Sequence, residues 1–268
     1  MNMTYIIAVA NQKGGVAKTT SAVSLGGSLA LTGKDVLMID LDAQADLTLA
    51  MGVTPSKSGG TIADVFFSSA NLTGVTRETA IPGMDLIPSF NEMELAERFL
   101  PVRPNFEFIL RDALKNHLPA NFYDYVILDC PPALGAITTN ALQAAQMLII
   151  PTQPEFFSAH ALRNMMPIIR RVRNQGNPNM LYRILITMFD KRNRVHRNLS
   201  EQLNSTFREG VFQTVIGTDT KLREASIAGL PITHFNIKTR SAGQYQALAQ
   251  EIIQYVQNPV TKSALLST

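Results

Sequence analysis

At 268 residues, 46% hydrophobic and 17% charged, the chain has enough apolar material for one large or two small buried cores and too little charge for wholesale disorder. A single cysteine, Cys130, excludes a disulfide framework and a four-cysteine metal site and fits a reducing cytoplasm. The net charge of +3 hides an asymmetry: residues 160–240 hold 14 Lys and Arg against 5 Asp and Glu, which suggests either a polyanionic partner or a solvated face of scattered charge. No apolar run reads as a membrane span and the N-terminus lacks the basic region of a signal peptide, so a soluble cytosolic protein is expected.

In chain order, "YIIAVA" (5–10) reads as a buried strand, followed by a helix carrying Ala22, Leu25 and Leu29 with Gly33 as its terminator. "VLMID" (36–40) is a second strand. Residues 54–104 are looser, with a glycine pair and several prolines, and read as an excursion from the same domain. "YVILD" (125–129), "MLIIP" (147–151), "RILITM" (183–188) and "FQTVI" (212–216) are further strands, with helical patterns at 161–172 and 199–207. Tyr245, Leu248, Ile252 and Val256 share a last helical face. Strands alternating with helices predict an α/β fold with a mostly parallel sheet covered on both faces, as one domain over 1–268.

Between the first strand and helix lies "NQKGGVAKTT" (11–20). The common phosphate-loop pattern, G-x-x-x-x-G-K-[ST], needs glycine where Gln12 and Ala17 stand, so only Lys18-Thr19 fits it. The context still suits phosphate: backbone N–H groups at a helix N-terminus converge on an anion, and Gly14 and Gly15 let the backbone come close. Lys18 would neutralise phosphate charge and Thr19 would ligate Mg²⁺. A tight turn with a surface lysine explains the loop alone equally well. Two more strand ends add to it. Asp40 and Asp42, two residues apart, can face the loop from one strand end, and Asp129 closes another apolar strand in "YVILDCPP". Ligands bind at such carboxyl ends in open α/β sheets.

The loop Lys13-Gly14-Gly15-Val16-Ala17-Lys18-Thr19 resembles K-G-G-x-x-K-[ST], the deviant Walker A motif of the ParA/MinD superfamily of P-loop NTPases. "DLDAQ", "DCPPALGAITTNAL", "PTQPEFFSAHAL", "TMFDKR" and "KLREASIAGLPI" extend the likeness over nearly the whole chain, and it is closest to the ParA/Soj branch. The resemblance implies an ATPase, with ATP and Mg²⁺ as cofactors, that forms a homodimer around nucleotide. Lys13 would reach the phosphates of the other subunit's ATP. Gly14, Gly15, Val16, Ala17, Lys18, Thr19 and Thr20 would hold phosphates and Mg²⁺ within the subunit. Asp42 would orient the attacking water, with Asp40 and Asp129 supporting the metal. Met188, Asp190, Gly217 and Thr218 would line the adenine pocket. The chain departs from the family at three places. Ala17 stands where glycine is common, tolerable only if that residue is helical or extended. "DAQAD" replaces D-P-Q-G-N, placing Asp46 near the site. "GTD" after Ile216 replaces P-R-N, which leaves the base contacts there open.

Lys191, Arg192, Arg194, Lys221 and Arg223 cluster near strand ends and helix starts, and the resemblance implies non-specific DNA binding at the places of Arg192 and Lys221. Phosphate contacts from two subunits would be steeply salt-dependent and indifferent to sequence. The alternative is intrachain pairing, for example of Arg223 with Glu224 or Asp219. The implied partners are a homodimer mate, DNA and a ParB-like activator on a cargo such as a plasmid, chromosome or microcompartment, in a cytoplasmic, nucleoid-associated protein. A MinD-like membrane protein is the rival, but "QNPVTKSALLST" is a poor amphipathic anchor, so no membrane contact is expected. A metabolic or metallocluster ATPase on the same scaffold is a further alternative; the metallocluster form would need ligand cysteines that Cys130 alone cannot supply. His160, His196 and His234 lack metal-ligand spacing.

Overall fold

The computed structural model describes residues 4–118, 122–156 and 158–257. The C-terminal stretch on which the membrane-anchor expectation rests, 258–268, lies outside the described residues.

Three short apolar runs form the middle of the sheet: β1 (Tyr5–Val9), β2 (Val36–Asp40) and β5 (Tyr125–Asp129). β2 and β5 are buried at every residue, as expected of parallel strands covered on both faces. With β3 (Arg77–Glu78), β4 (Met84–Ile87), β6 (Met147–Thr152) and β7 (Leu181–Ile186), they make a seven-stranded sheet in the order β3-β4-β2-β5-β1-β6-β7. Only the β3–β4 pairing is antiparallel. This is the mostly parallel α/β sheet that the alternation of strands and helices predicts, and it fits the P-loop architecture that the family resemblance implies.

Period-2 alternation sorts the side chains into two cores. Ala8, Leu37, Ile39, Val126, Leu128 and Leu148 point to one face, under α3 (Ile62–Ser68), α5 (Met93–Phe99), α6 (Ile109–His117), α7 (Ala136–Ala144) and α8 (Ser158–Gln175). Ile7, Val9, Met38, Ile127 and Ile149 point to the other, under α1 (Lys18–Ala30) and α12 (Arg240–Gln257). α1 crosses its neighbours closely: a Cβ at Gly27 would lie 2.3 Å from Pro231 Cβ.

Three readings of the sequence need correction. The stretch 54–104 is no mere excursion, because it carries α3, α4 (Leu72–Val75), α5 and the β3–β4 pair, and β4 sits directly against β2. Residues 212–216 form no strand; Val211 and Gly217 make isolated bridges to Ile184 and Phe189. β7 also ends at Ile186 rather than 188, because the chain turns at Met188 with φ 52°.

Parallel register puts the chemistry at one edge. Val9 pairs with Asp129, and Asp129 with Asp40, so the carboxyl ends of β1, β5 and β2 lie level.

Candidate nucleotide site

The loop between β1 and α1 is held from below and open above. Buried Asn11 anchors its start, with Nδ2 donating to the Pro151 carbonyl at 2.7 Å and Oδ1 accepting the Lys13 N–H at 3.0 Å. Val16 is buried, and its carbonyl accepts the Thr187 hydroxyl at 3.0 Å. Gly14 and Gly15 are exposed, a Cβ on either would meet no protein atom, and Gly15 sits at φ +71°. The loop's outer wall is thus bare backbone facing open space, suited to a bulky anion.

Ala17 overturns one expectation. It is neither helical nor extended but left-handed, at φ 66°, ψ 39°, and it caps α1, its carbonyl accepting the Ser21 N–H at 2.9 Å. An L-residue pays about 1–2 kcal/mol there. Ala17→Gly should therefore raise stability by about 0.5–1 kcal/mol after the glycine's entropy cost. Urea unfolding measures it, and a loss of stability would mean that the methyl makes packing worth more than the strain.

At the helix start, Lys18 reaches back so that its ammonium donates to the Lys13 carbonyl at 3.2 Å. Desolvation lowers its pKa, opposed by the charges of Asp129 and Asp42. The Thr19 hydroxyl donates to Asp129 Oδ2 at 2.6 Å, while Asp129 Oδ1 is buried with no partner among the described residues. Burial, then the neighbouring Asp40, raise the Asp129 pKa well above the carboxylate range, opposed by Thr19 and Lys18. An orphaned carboxylate oxygen beside a threonine hydroxyl fits a hard divalent cation such as Mg²⁺. Among the described residues no three His, Cys, Asp or Glu side chains form a metal cage, so such an ion would depend on ligand oxygens for most of its shell, as Mg²⁺ does in phosphate sites.

Asp40 and Asp42 do different things. Asp40 is fully buried, and its oxygens accept the Thr48 N–H (2.8 Å), the Thr48 hydroxyl (2.7 Å) and the Asp42 N–H (3.1 Å). Burial pushes its pKa up to about 7. Its oxygens are committed to α2 (Asp46–Ala50), which they tie to the sheet. Asp42 is half-buried and, among the described residues, its carboxylate accepts a single local N–H, from Gln44 at 3.0 Å. It therefore faces the site with capacity to spare. Asp46 is exposed, its pKa raised by partial desolvation and then by Asp42.

Asp190, Gly217 and Thr218 line a groove of about 740 Å³ together with Phe189, Lys191 and Arg192, whereas Met188 is not on its wall and meets it through its backbone carbonyl. The Thr218 hydroxyl donates to the Met188 carbonyl at 3.1 Å and the Thr218 N–H to the Phe189 carbonyl at 3.2 Å. Thr187 joins this groove to the phosphate loop through Val16. Gln244 and Arg240 are further members that the sequence did not single out. Gln244 accepts the Gly217 N–H at 3.1 Å, and Arg240 donates to the Thr218 carbonyl. They sit on α12 with no local motif to mark them.

Lys191, Arg192, Arg194, Lys221 and Arg223 are all exposed, at the start of α9 (Arg194–Phe207) and on α10 (Lys221–Ile227). Arg192 Nε lies 3.3 Å from Asp190, and Glu224 pairs with Lys221 at 2.6 Å rather than with Arg223. Such exposed pairs hold their cations only weakly.

A glycine-containing loop at a helix start, facing aligned strand-end carboxylates across a parallel sheet, is the arrangement of an α/β protein of the P-loop class. A family model described as an AAA domain (AAA_31) matches residues 4–182. The chain is 34% identical to a chromosome partitioning protein ParA of Caulobacter vibrioides, covering 98% of this chain and 99% of that protein. It is 35% identical to the sporulation initiation inhibitor protein Soj of Bacillus subtilis, covering 93% and 98%. The chain belongs to the ParA/MinD superfamily of ATPases, in its ParA branch. Among solved structures, it is similar to a cobyrinic acid a,c-diamide synthase of Mycobacterium smegmatis with bound ATP analog and magnesium, at TM-score 0.80 and 30% identity over 95% of this chain and 96% of that one. McdA of Cyanothece shares the fold at TM-score 0.82 and 21% identity, covering 92% and 99%.

Proposed function

We propose that this protein hydrolyses ATP, dimerises around two Mg·ATP molecules, binds DNA without sequence preference in that state, and uses the cycle to partition or position a cargo. One observation carries the reading: the loop holds a second lysine. Lys18 sits at the helix start beside Asp129 and Asp42, while Lys13 points its ammonium away from that group to a half-exposed pair with Glu155, from which a neighbouring subunit's phosphates could draw it.

Phosphoryl transfer asks a protein mainly for positioning and charge stabilisation. Lys18 and the Gly14–Gly15 backbone bind phosphate oxygens, Thr19 and Asp129 would hold Mg²⁺, and Asp40 fixes the loop that carries Asp42. When bound, Mg²⁺ supplies charge neutralisation between the phosphates. Asp42 orients the attacking water at its carboxylate. If Lys13 of each subunit completes the other's charge, nucleotide becomes part of the dimer interface and its hydrolysis releases the pair.

The exposed cations at the starts of α9 and α10 support DNA as the surface partner. Dimerisation doubles the patch, so avidity makes binding depend on ATP. Arg192→Glu should lower DNA affinity by at least about 10-fold while leaving ATP-driven dimerisation intact, because it removes one cation and adds a repulsive charge in each subunit. Loss of dimerisation in that variant would make Arg192 structural. The relatives named for chromosome partitioning support a large cargo; we take this to be a plasmid, a chromosome or a microcompartment like the carboxysome, with a ParB-like activator, in a cytoplasmic, nucleoid-associated protein. No helix among the described residues is long and apolar enough to cross a membrane.

A second reading has one observation behind it, the 30% identity to a protein named as a metabolic synthase. One experiment separates the two. A random-sequence duplex is titrated with protein carrying no nucleotide, ADP, or ATP with Mg²⁺, at two salt concentrations. Binding confined to the ATP state and falling steeply with salt supports partitioning. No binding in any state, with nucleotide shown to be bound, sinks it in favour of the metabolic reading or a membrane partner.

A further inference from the structure

We propose that Glu155 is a positioning residue that holds Lys13 against its own subunit and sets the threshold for ATP-driven dimerisation; this rests on the cross-subunit role of Lys13 given above. Glu155 Oε2 stands 2.5 Å from Lys13 Nζ, with the two side chains 43% and 27% exposed. The residues lie 142 positions apart, so the contact belongs to the assembled fold and not to the loop.

Both ends of the pair are fixed. Glu155 sits in the turn ahead of α8, where its carbonyl accepts the Ser158 N–H at 2.9 Å and its own N–H donates to the Gln153 carbonyl at 2.8 Å. The Lys13 N–H is bound by Asn11 Oδ1 and its carbonyl by Lys18 Nζ. A second tie runs beside the first: Asn164 Nδ2 on α8 donates to Gln12 Oε1 at 2.8 Å. The backbone of Lys13 is thus set by its own loop, and the direction of its ammonium by Glu155.

The consequence is a competition. Lys13 cannot reach a neighbouring subunit's phosphates while its charge is paired with Glu155, and a symmetric dimer must open two such contacts. A half-exposed ion pair is weak enough to yield to a phosphate cluster, yet strong enough to bias the free subunit. Among the described residues no hydrogen bond or ion pair joins the Glu155 side chain to Lys18, Thr19 or Asp129, so its removal should change assembly without changing nucleotide binding in the subunit.

The test uses the full chain carrying Asp42→Ala to block hydrolysis, with saturating ATP and Mg²⁺, and reads the dimer dissociation constant by sedimentation. A fluorescent ADP analogue reports subunit binding in parallel. Glu155→Gln should tighten the dimer by about 2- to 30-fold, a few-fold for each of two pairs, with ADP affinity unchanged. Glu155→Ala should act in the same direction. A merely structural Glu155 would instead shift ADP-analogue affinity or thermal unfolding in both variants, which a residue that only holds the Lys13 ammonium leaves unchanged. A dimer that is unchanged or weaker in both Glu155 variants, while Lys13→Ala fails to dimerise, overturns the role of Glu155 alone. A Lys13→Ala protein that still dimerises with ATP overturns the reading beneath it.

Discussion

Asp42→Ala should lose at least about 100-fold in ATP hydrolysis, the scale of a positioned acid–base or water-orienting group, while binding ATP within about 3-fold of the parent and still dimerising. The structure separates Asp42 from its neighbour in a way that makes this specific. Asp42 is half-buried, and the single backbone N–H it accepts, from Gln44, is itself exposed. Removing the carboxylate therefore orphans nothing and should leave the fold unchanged. Asp40 behaves oppositely: it is fully buried and receives three hydrogen bonds from Thr48 and Asp42. Truncating it would strand those donors, at a cost of about 1–3 kcal/mol per unsatisfied group, and would be read as a folding defect. Single-turnover hydrolysis and thermal unfolding on both variants distinguish the roles. Wild-type turnover in Asp42→Ala would remove it from the mechanism and return attention to Asp40 and Asp129.

The parts of this fold that could be read early are those where local pattern and burial agree. β1, β2 and β5 are continuous apolar runs closed by a helix-start loop or an aspartate, and their observed ends fall within a residue of the predicted ones. β4 was invisible because it is four residues long and carries Asp85, whose carboxylate accepts the Tyr123 hydroxyl from 38 residues away. Residues 212–216 look like a strand by composition, but β7 already forms the edge and the segment bonds to it only at isolated points.

The site shows the same division. Lys13, Lys18, Thr19 and the strand-end aspartates announce themselves by residue type and spacing. The left-handed state of Ala17 does not, since it follows from closing the loop onto α1. Gln244, Arg240 and Glu155 also lack any local mark, because each acts on a residue between 22 and 142 positions distant. What a sequence hides here is long-range hydrogen bonding by ordinary polar side chains. Glu97 is one more case: its carboxylate accepts the Ala136 and Ile137 N–H groups at 2.8 and 2.9 Å, capping α7 just beyond the Asp129 loop.

Lys13→Ala should remain a monomer with ATP and Mg²⁺ at concentrations where the parent is dimeric. Lys18, Thr19 and the glycine backbone stay in place to bind nucleotide within the subunit, so an ADP analogue should still bind. The folded monomer should tolerate the change, because the pair with Glu155 is half-exposed and contributes under about 1 kcal/mol. Assembly is another matter. In the proposed dimer two lysines would be withdrawn from a desolvated interface crowded with phosphate charge, where each charge-assisted contact is worth far more than at a surface. DNA binding should fail in the same variant although every cation of the α9 and α10 surface is intact, since a single patch lacks the avidity of two. Sedimentation with ATP, paired with duplex titration, checks both. A Lys13→Ala monomer that still binds DNA would uncouple the patch from assembly, and ATP would then have to act on the α9 and α10 surface within one subunit, through the Thr187 link between the phosphate loop and the groove.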